Sequence, residues 1–146
     1  SVQRDACDRF TGIARPNAFE TANFESNPAQ TRIVKIGADY EILKALREFP
    51  KEIELQTACM EALSVIAKWN PEAYALMGAH GAIETMANSF LRFPDERRIQ
   101  RMVGSFASFA DFNDMAATVN LERIASTEMT HNLMKRMSKW MSDIEM

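Results

Sequence analysis

Two histidines and two cysteines are the side chains of this 146-residue sequence that most invite a chemical reading. His80 stands in a glycine-bearing stretch, GAHGAIE, and His131 lies far downstream. A bound metal needs three or four nitrogen, sulfur or oxygen donors at close spacing, and neither histidine has such company in the sequence. GAHGAIE also has too few glycines, and no strand before it, to cradle a phosphate. No nucleophile, base and orienting group stand out as a set. The expectation is therefore no metal, no cofactor and no catalysis, with His80 an ordinary corner residue. Cys7 and Cys59 fall singly within helical patterns and read as small buried hydrophobes. A reducing, intracellular and cytoplasmic setting suits that reading.

Charge offers more. Lys51, Glu52, Glu54 and Glu61 lie along one long helical stretch, and Arg97, Arg98 and Arg101 along another. Together they read as a bipolar groove for a partner of mixed charge. The plainer reading is a pair of solvated faces joined by ion pairs, each worth about 0–1 kcal/mol. Gly104 interrupts the second stretch at a cost of about 0.5–1 kcal/mol relative to alanine, which is repaid if a ligand backbone or a neighbouring helix comes close there. Near the end, Met129, Leu133, Met137, Trp140, Met141 and Ile144 form an apolar stripe beside Lys135, Arg136 and Lys139. Met137, Trp140 and Met141 are its candidates for an oligomer contact or end-to-end packing, although core packing is the simpler use of such a stripe.

These residues must be positioned by helices, and the sequence marks where the helices begin. Asn27, Asn70 and Asn113 are each 43 residues apart, and the first two precede proline. Asparagine caps a helix N-terminus and proline suits the first helical position. Phe49-Pro50 recurs as Phe93-Pro94 and Gly37-Ala38 as Gly81-Ala82, each pair 44 residues on. Periods of this size announce repeats. Each unit reads as a short helix (28–36, 71–78, 114–120), a corner at Gly37 or at Gly78 and Gly81, a middle helix (39–49, 82–93), and a long third helix opened by Pro50 or Pro94 (50–68, 94–110). Leu55, Cys59, Ala62, Leu63 and Ile66, then Ile99, Met102, Val103, Phe106, Phe109 and Ala110, follow helical spacing, so Phe106 is expected in the core. The stretch 7–14 matches the end of a third helix, and a helix blurred around 121–126 precedes the final stripe. The divisions are 1–26 (a partial unit), 27–69, 70–112 and 113–146 (partial or capping). No strand pattern is present.

Bulk properties bound the rest. Hydrophobic residues make up 47%, enough for a core, and the net charge is −3, which gives no electrostatic case for nucleic acid. No apolar run is long enough to span a membrane. The start at Ser1 rather than Met suggests a fragment of a longer chain.

The unit GAHGAIETMANSFLRFPDERRIQRMVGSFASFADFNDMA and its predecessor IGADYEILKALREFPKEIELQTACMEALSVIAKWNPEA resemble the armadillo repeat, three helices with a small-residue corner. The resemblance covers about 27–120. It implies an all-α, right-handed superhelical solenoid of about three three-helix repeats. It also implies a non-catalytic scaffold or adaptor that binds a protein or peptide on a concave surface of third helices. By register that surface carries Glu54, Thr57, Glu61, Val65, Arg97, Arg101, Gly104 and Ser108. Peptide-binding members clamp their ligand with a third-helix asparagine, and the matching positions here are Val65 and Ser108. Neither side chain can donate and accept as an amide does, which counts against that clamp. The competing expectation is a structural module that packs through its apolar ends.

Overall fold

The structure, a computed structural model, describes residues 2–14, 28–108, 122–126, 128, 130–132 and 134–135. The protein is all-α, and no strand occurs among the described residues. The helices are α1 (Val2–Ala14), α2 (Pro28–Lys35), α3 (Ala38–Glu48), α4 (Ile53–Ala67), α5 (Pro71–Ala79), α6 (Ala82–Arg92) and α7 (Arg97–Ser108), with further helical turns at 122–126.

Local chemistry sets the boundaries. The Asn70 side chain accepts a hydrogen bond from the Ala73 amide at 3.0 Å, and Pro71 occupies the first turn of α5. This satisfies one donor that a helix start would otherwise leave unpaired. Gly37 (φ +79°) and Gly81 (φ +87°) turn the chain into α3 and α6 through the left-handed region, which glycine enters without a Cβ penalty. Gly78, read from sequence as part of the corner, instead lies buried inside α5. The turn needs one left-handed residue, and Gly81 supplies it.

Pro50 and Pro94 also differ from expectation. They do not open the long helices, which begin three residues later at Ile53 and Arg97. Instead the Phe49 carbonyl accepts from the Glu52 amide at 3.3 Å and the Phe93 carbonyl from the Glu96 amide at 3.2 Å. Each proline is thus the second residue of a turn, where its fixed φ fits. A glutamine follows each turn, buried at Gln56 and half-buried at Gln100. Gln56 Nε2 donates to the Leu46 and Phe49 carbonyls at 2.8 and 3.1 Å. Forty-four residues on, Gln100 Nε2 donates to the Phe90 and Phe93 carbonyls at 3.4 and 3.0 Å. Both side chains close the C-terminal carbonyls of the preceding helix, which would otherwise be orphan acceptors.

Packing pairs each helix with its counterpart one period away. α4 packs between α1 and α7, α2 lies against α5, and α3 against α6. The predicted stripes face the core: Leu55, Cys59, Ala62, Leu63 and Ile66 on α4, with Ile99, Val103 and Phe106 on α7, are buried, and Met102 is half-buried against them. Phe106 is 2% exposed, and its ring lies 5.1 Å from that of Tyr74. Phe109 and Ala110 lie outside the described residues.

Cys7 and Cys59 are buried, as expected of small hydrophobes, but they are not isolated. They form a disulfide that joins α1 to α4 with Cα atoms 5.0 Å apart. Gln30, fully buried on α2, donates to the Val65 and Lys68 carbonyls at 2.8 and 3.0 Å and so closes the end of α4. Asn27, Asn113 and the helix 114–120 lie outside the described residues. No described helix is long and apolar enough to cross a membrane.

Candidate protein-interaction face

The buried stripes of α4 and α7 face the core, so their opposite sides form a common surface. Glu54, Arg97, Arg101 and Gly104 are exposed on it, and Thr57, Glu61 and Val65 are half-buried. Seven of the eight residues assigned to a concave track thus reach a surface on the two packed helices. Ser108 is the last residue of α7. Thr57 turns its hydroxyl back to the Ile53 carbonyl at 2.8 Å, as threonines within helices do. Val65 packs against the core, and its carbonyl is taken by Gln30.

The charges on this face divide into a committed set and an open set. Arg98 Nη2 and Nη1 donate to the two Glu54 carboxylate oxygens at 2.8 and 3.3 Å, which bridges α7 to α4. Arg98 Nε also donates to Glu96 at 3.3 Å. The hydrogen bond from Arg98, then its charge, then the charge of Arg4 on α1, hold the Glu54 carboxyl below the usual carboxylate range. Glu54 is therefore joined to Arg98 across the seam between the two helices. Arg97 and Arg101, one helical turn apart, form no ion pair or hydrogen bond with the other described residues. They are the open cations of the face.

Gly104 is also open. A Cβ added there meets nothing within 4 Å. Close packing against a neighbouring described helix therefore does not account for this glycine, and among the described residues the space above it is open.

His80 does more than turn a corner. Its Nδ1 lies 2.5 Å from Asp39 Oδ2, and its ring stacks on Tyr40 with centroids 4.1 Å apart. Asp39 is wholly buried, and its other oxygen has no hydrogen-bond partner among the described residues. The contact pins the start of α3 to the corner before α6. Sequence reasoning missed it, although one signal was present. Residues about one period apart lie side by side, and this pair is 41 residues apart, as Glu54 and Arg98 are 44.

His131 is exposed, and no group of three or more histidine, cysteine or acidic residues among the described residues could hold a metal. Met137, Trp140 and Met141 lie outside the described residues. Comparisons with protein-family models, with curated proteins and with solved structures find no match to this chain.

Proposed function

We propose that the protein is a non-catalytic scaffold or adaptor that takes a protein or peptide partner on the surface of α1, α4 and α7. In this reading the chain is an armadillo-like, right-handed superhelical solenoid of about three three-helix repeats. The observation that carries it is the packing of α2 on α5, α3 on α6 and α4 on α7, each pair 43 or 44 residues apart, with α1 continuing the row beside α4 and with Arg97 and Arg101 uncommitted among the described residues. Stacked repeats leave such an extended track, and open charges on it steer and select partners. The surface holds no side-chain amide at Val65 or Ser108, so recognition rests on the arginines and on the open backbone at Gly104.

Reversal of both arginines, Arg97→Glu with Arg101→Glu, tests the proposal. Co-purification followed by mass spectrometry should lose the partners that the parent holds, while the helical dichroism and melting remain close to those of the parent. Retention of every partner by the folded double variant would remove the proposal.

A second reading, a structural module packing through its ends, draws on Val2, Ile36 and Met134, large apolar side chains that are 81%, 74% and 66% exposed. It expects partners to survive the arginine reversal and to be released by polar substitution of Met137 and Trp140. The Cys7–Cys59 bond takes away the cysteine argument for a reducing compartment, since disulfides persist in oxidising ones.

A further inference from the structure

Between the C-terminal halves of α3 and α6 lies a cleft of about 570 Å3, a volume within the range of ligand sites. It shares no residue with the α4–α7 face. Pro50 and Leu91 are its half-buried apolar residues, Thr85 and Ser89 line its floor with Leu46, and Arg47, Arg92 and Asn88 are its exposed polar groups. No carboxylate among the described residues lines it.

The two arginines are held across the seam in opposite directions. Arg47, from α3, donates through Nε and Nη2 to Thr85 Oγ1 on α6, at 3.2 and 3.0 Å. That hydroxyl in turn donates to the Gly81 carbonyl at 2.8 Å, so the anchor is itself fixed. Arg92, at the end of α6, donates through Nη1 to the Pro50 carbonyl at 3.2 Å. Each guanidinium keeps most of its five N–H donors without a partner among the described residues. Neither forms an ion pair there, although the chain as a whole carries a net charge of −3. Two cations held in one cleft repel unless an anion lies between them. The planar guanidinium fork matches carboxylate and phosphate oxygens.

The geometry points to a second binding site, in which the α3–α6 cleft takes an oxyanion-bearing segment of a partner protein. Arg47 and Arg92 receive its carboxylate or phosphate oxygens, the Asn88 amide donates beside them, and Pro50 and Leu91 seat a flanking side chain. The cleft is larger than one anionic group, and Pro50 and Leu91 stand beside its polar groups, which suits a segment of chain better than a lone inorganic ion.

Fluorescence anisotropy on the full chain tests this with three labelled peptides of one sequence, carrying glutamate, phosphoserine or uncharged glutamine and serine at the same positions. One or both anionic peptides should bind and the uncharged one should not, with affinity falling as salt is raised. The tighter of the two identifies carboxylate or phosphate as the group received. Arg47→Gln with Arg92→Gln should weaken binding by about tenfold or more, as two charged hydrogen-bonding groups are lost. Asn88→Arg should tighten it. Arg97→Glu with Arg101→Glu should leave it unchanged, which separates this cleft from the α4–α7 face. If the glutamine variant loses its helical signal, Asn88→Arg decides alone. Anionic peptides binding no better than the uncharged one, or an affinity indifferent to the cleft variants, would overturn the site. So would binding lost only on reversal of Arg97 and Arg101.

Discussion

Tyr74 and Phe106 meet across the junction of α5 and α7, and each allows a sharp test. Phe106 is buried among core side chains, so Phe106→Ala should cost about 3–5 kcal/mol in denaturant unfolding. An unchanged midpoint would show that the ring is not in the core. Burial pushes the Tyr74 phenol from 10 up to about 12. The folded state thus holds this proton more tightly than the unfolded chain. The stability it contributes is whole below pH 10 and is lost as pH rises through about 12. The urea midpoint of the parent should therefore fall over that interval more steeply than that of Tyr74→Phe, and parallel curves would contradict the assignment. Phe106 was legible in the sequence because burial follows helical spacing. Asp39 was not. An acid near a helix start reads as solvated, and its partner there is His80, which the fold brings alongside from another unit.

The elements depend on a few backbone and covalent devices. Gly81 carries φ +87°, and a Cβ there would lie 3.2 Å from Arg47 Nη2. Gly81→Ala should destabilise by about 1–2 kcal/mol from the left-handed backbone, before any displacement of Arg47. Gly104→Ala should do the reverse and gain about 0.5–1 kcal/mol, because that residue is helical and a Cβ meets open space. Thermal melts of the two variants check the pair, and a destabilised Gly104→Ala would place an unseen neighbour above α7. The disulfide fastens α1 to α4 across 52 residues of sequence, a loop worth about 4 kcal/mol by chain entropy and about 2–4 kcal/mol as typically realised. Replacement of both Cys7 and Cys59 by serine should lower the denaturant midpoint accordingly, with mass spectrometry of the alkylated parent confirming the bond. The helices themselves were legible because caps, glycines and prolines punctuate the chain locally. The cysteine pairing was not, because no local pattern ties residues on two separate helices.

At the scale of the whole molecule, the repeat period is what joins sequence to arrangement. The recurrences of Phe-Pro and Gly-Ala at 44 residues return as equivalent turns, and the glutamines Gln56 and Gln100 perform the same closure in both. That second pair was readable at the same spacing and was passed over, since a polar residue in a helix is ordinarily given to solvent. The proposed face was legible only as a set of exposed positions. Its division into Glu54, already held by Arg98, and the open Arg97 and Arg101 needed side-chain geometry. The central claim is that partners meet this face. A photo-crosslinking residue placed at Thr57, on the face, and separately at Lys44, exposed on α3, tests it most directly. The account predicts that the Thr57 probe captures the partner that co-purifies with the parent and that Arg97→Glu with Arg101→Glu abolishes the crosslink. A partner that crosslinks from Lys44 and not from Thr57, or from Thr57 with equal yield after the reversal, would contradict it.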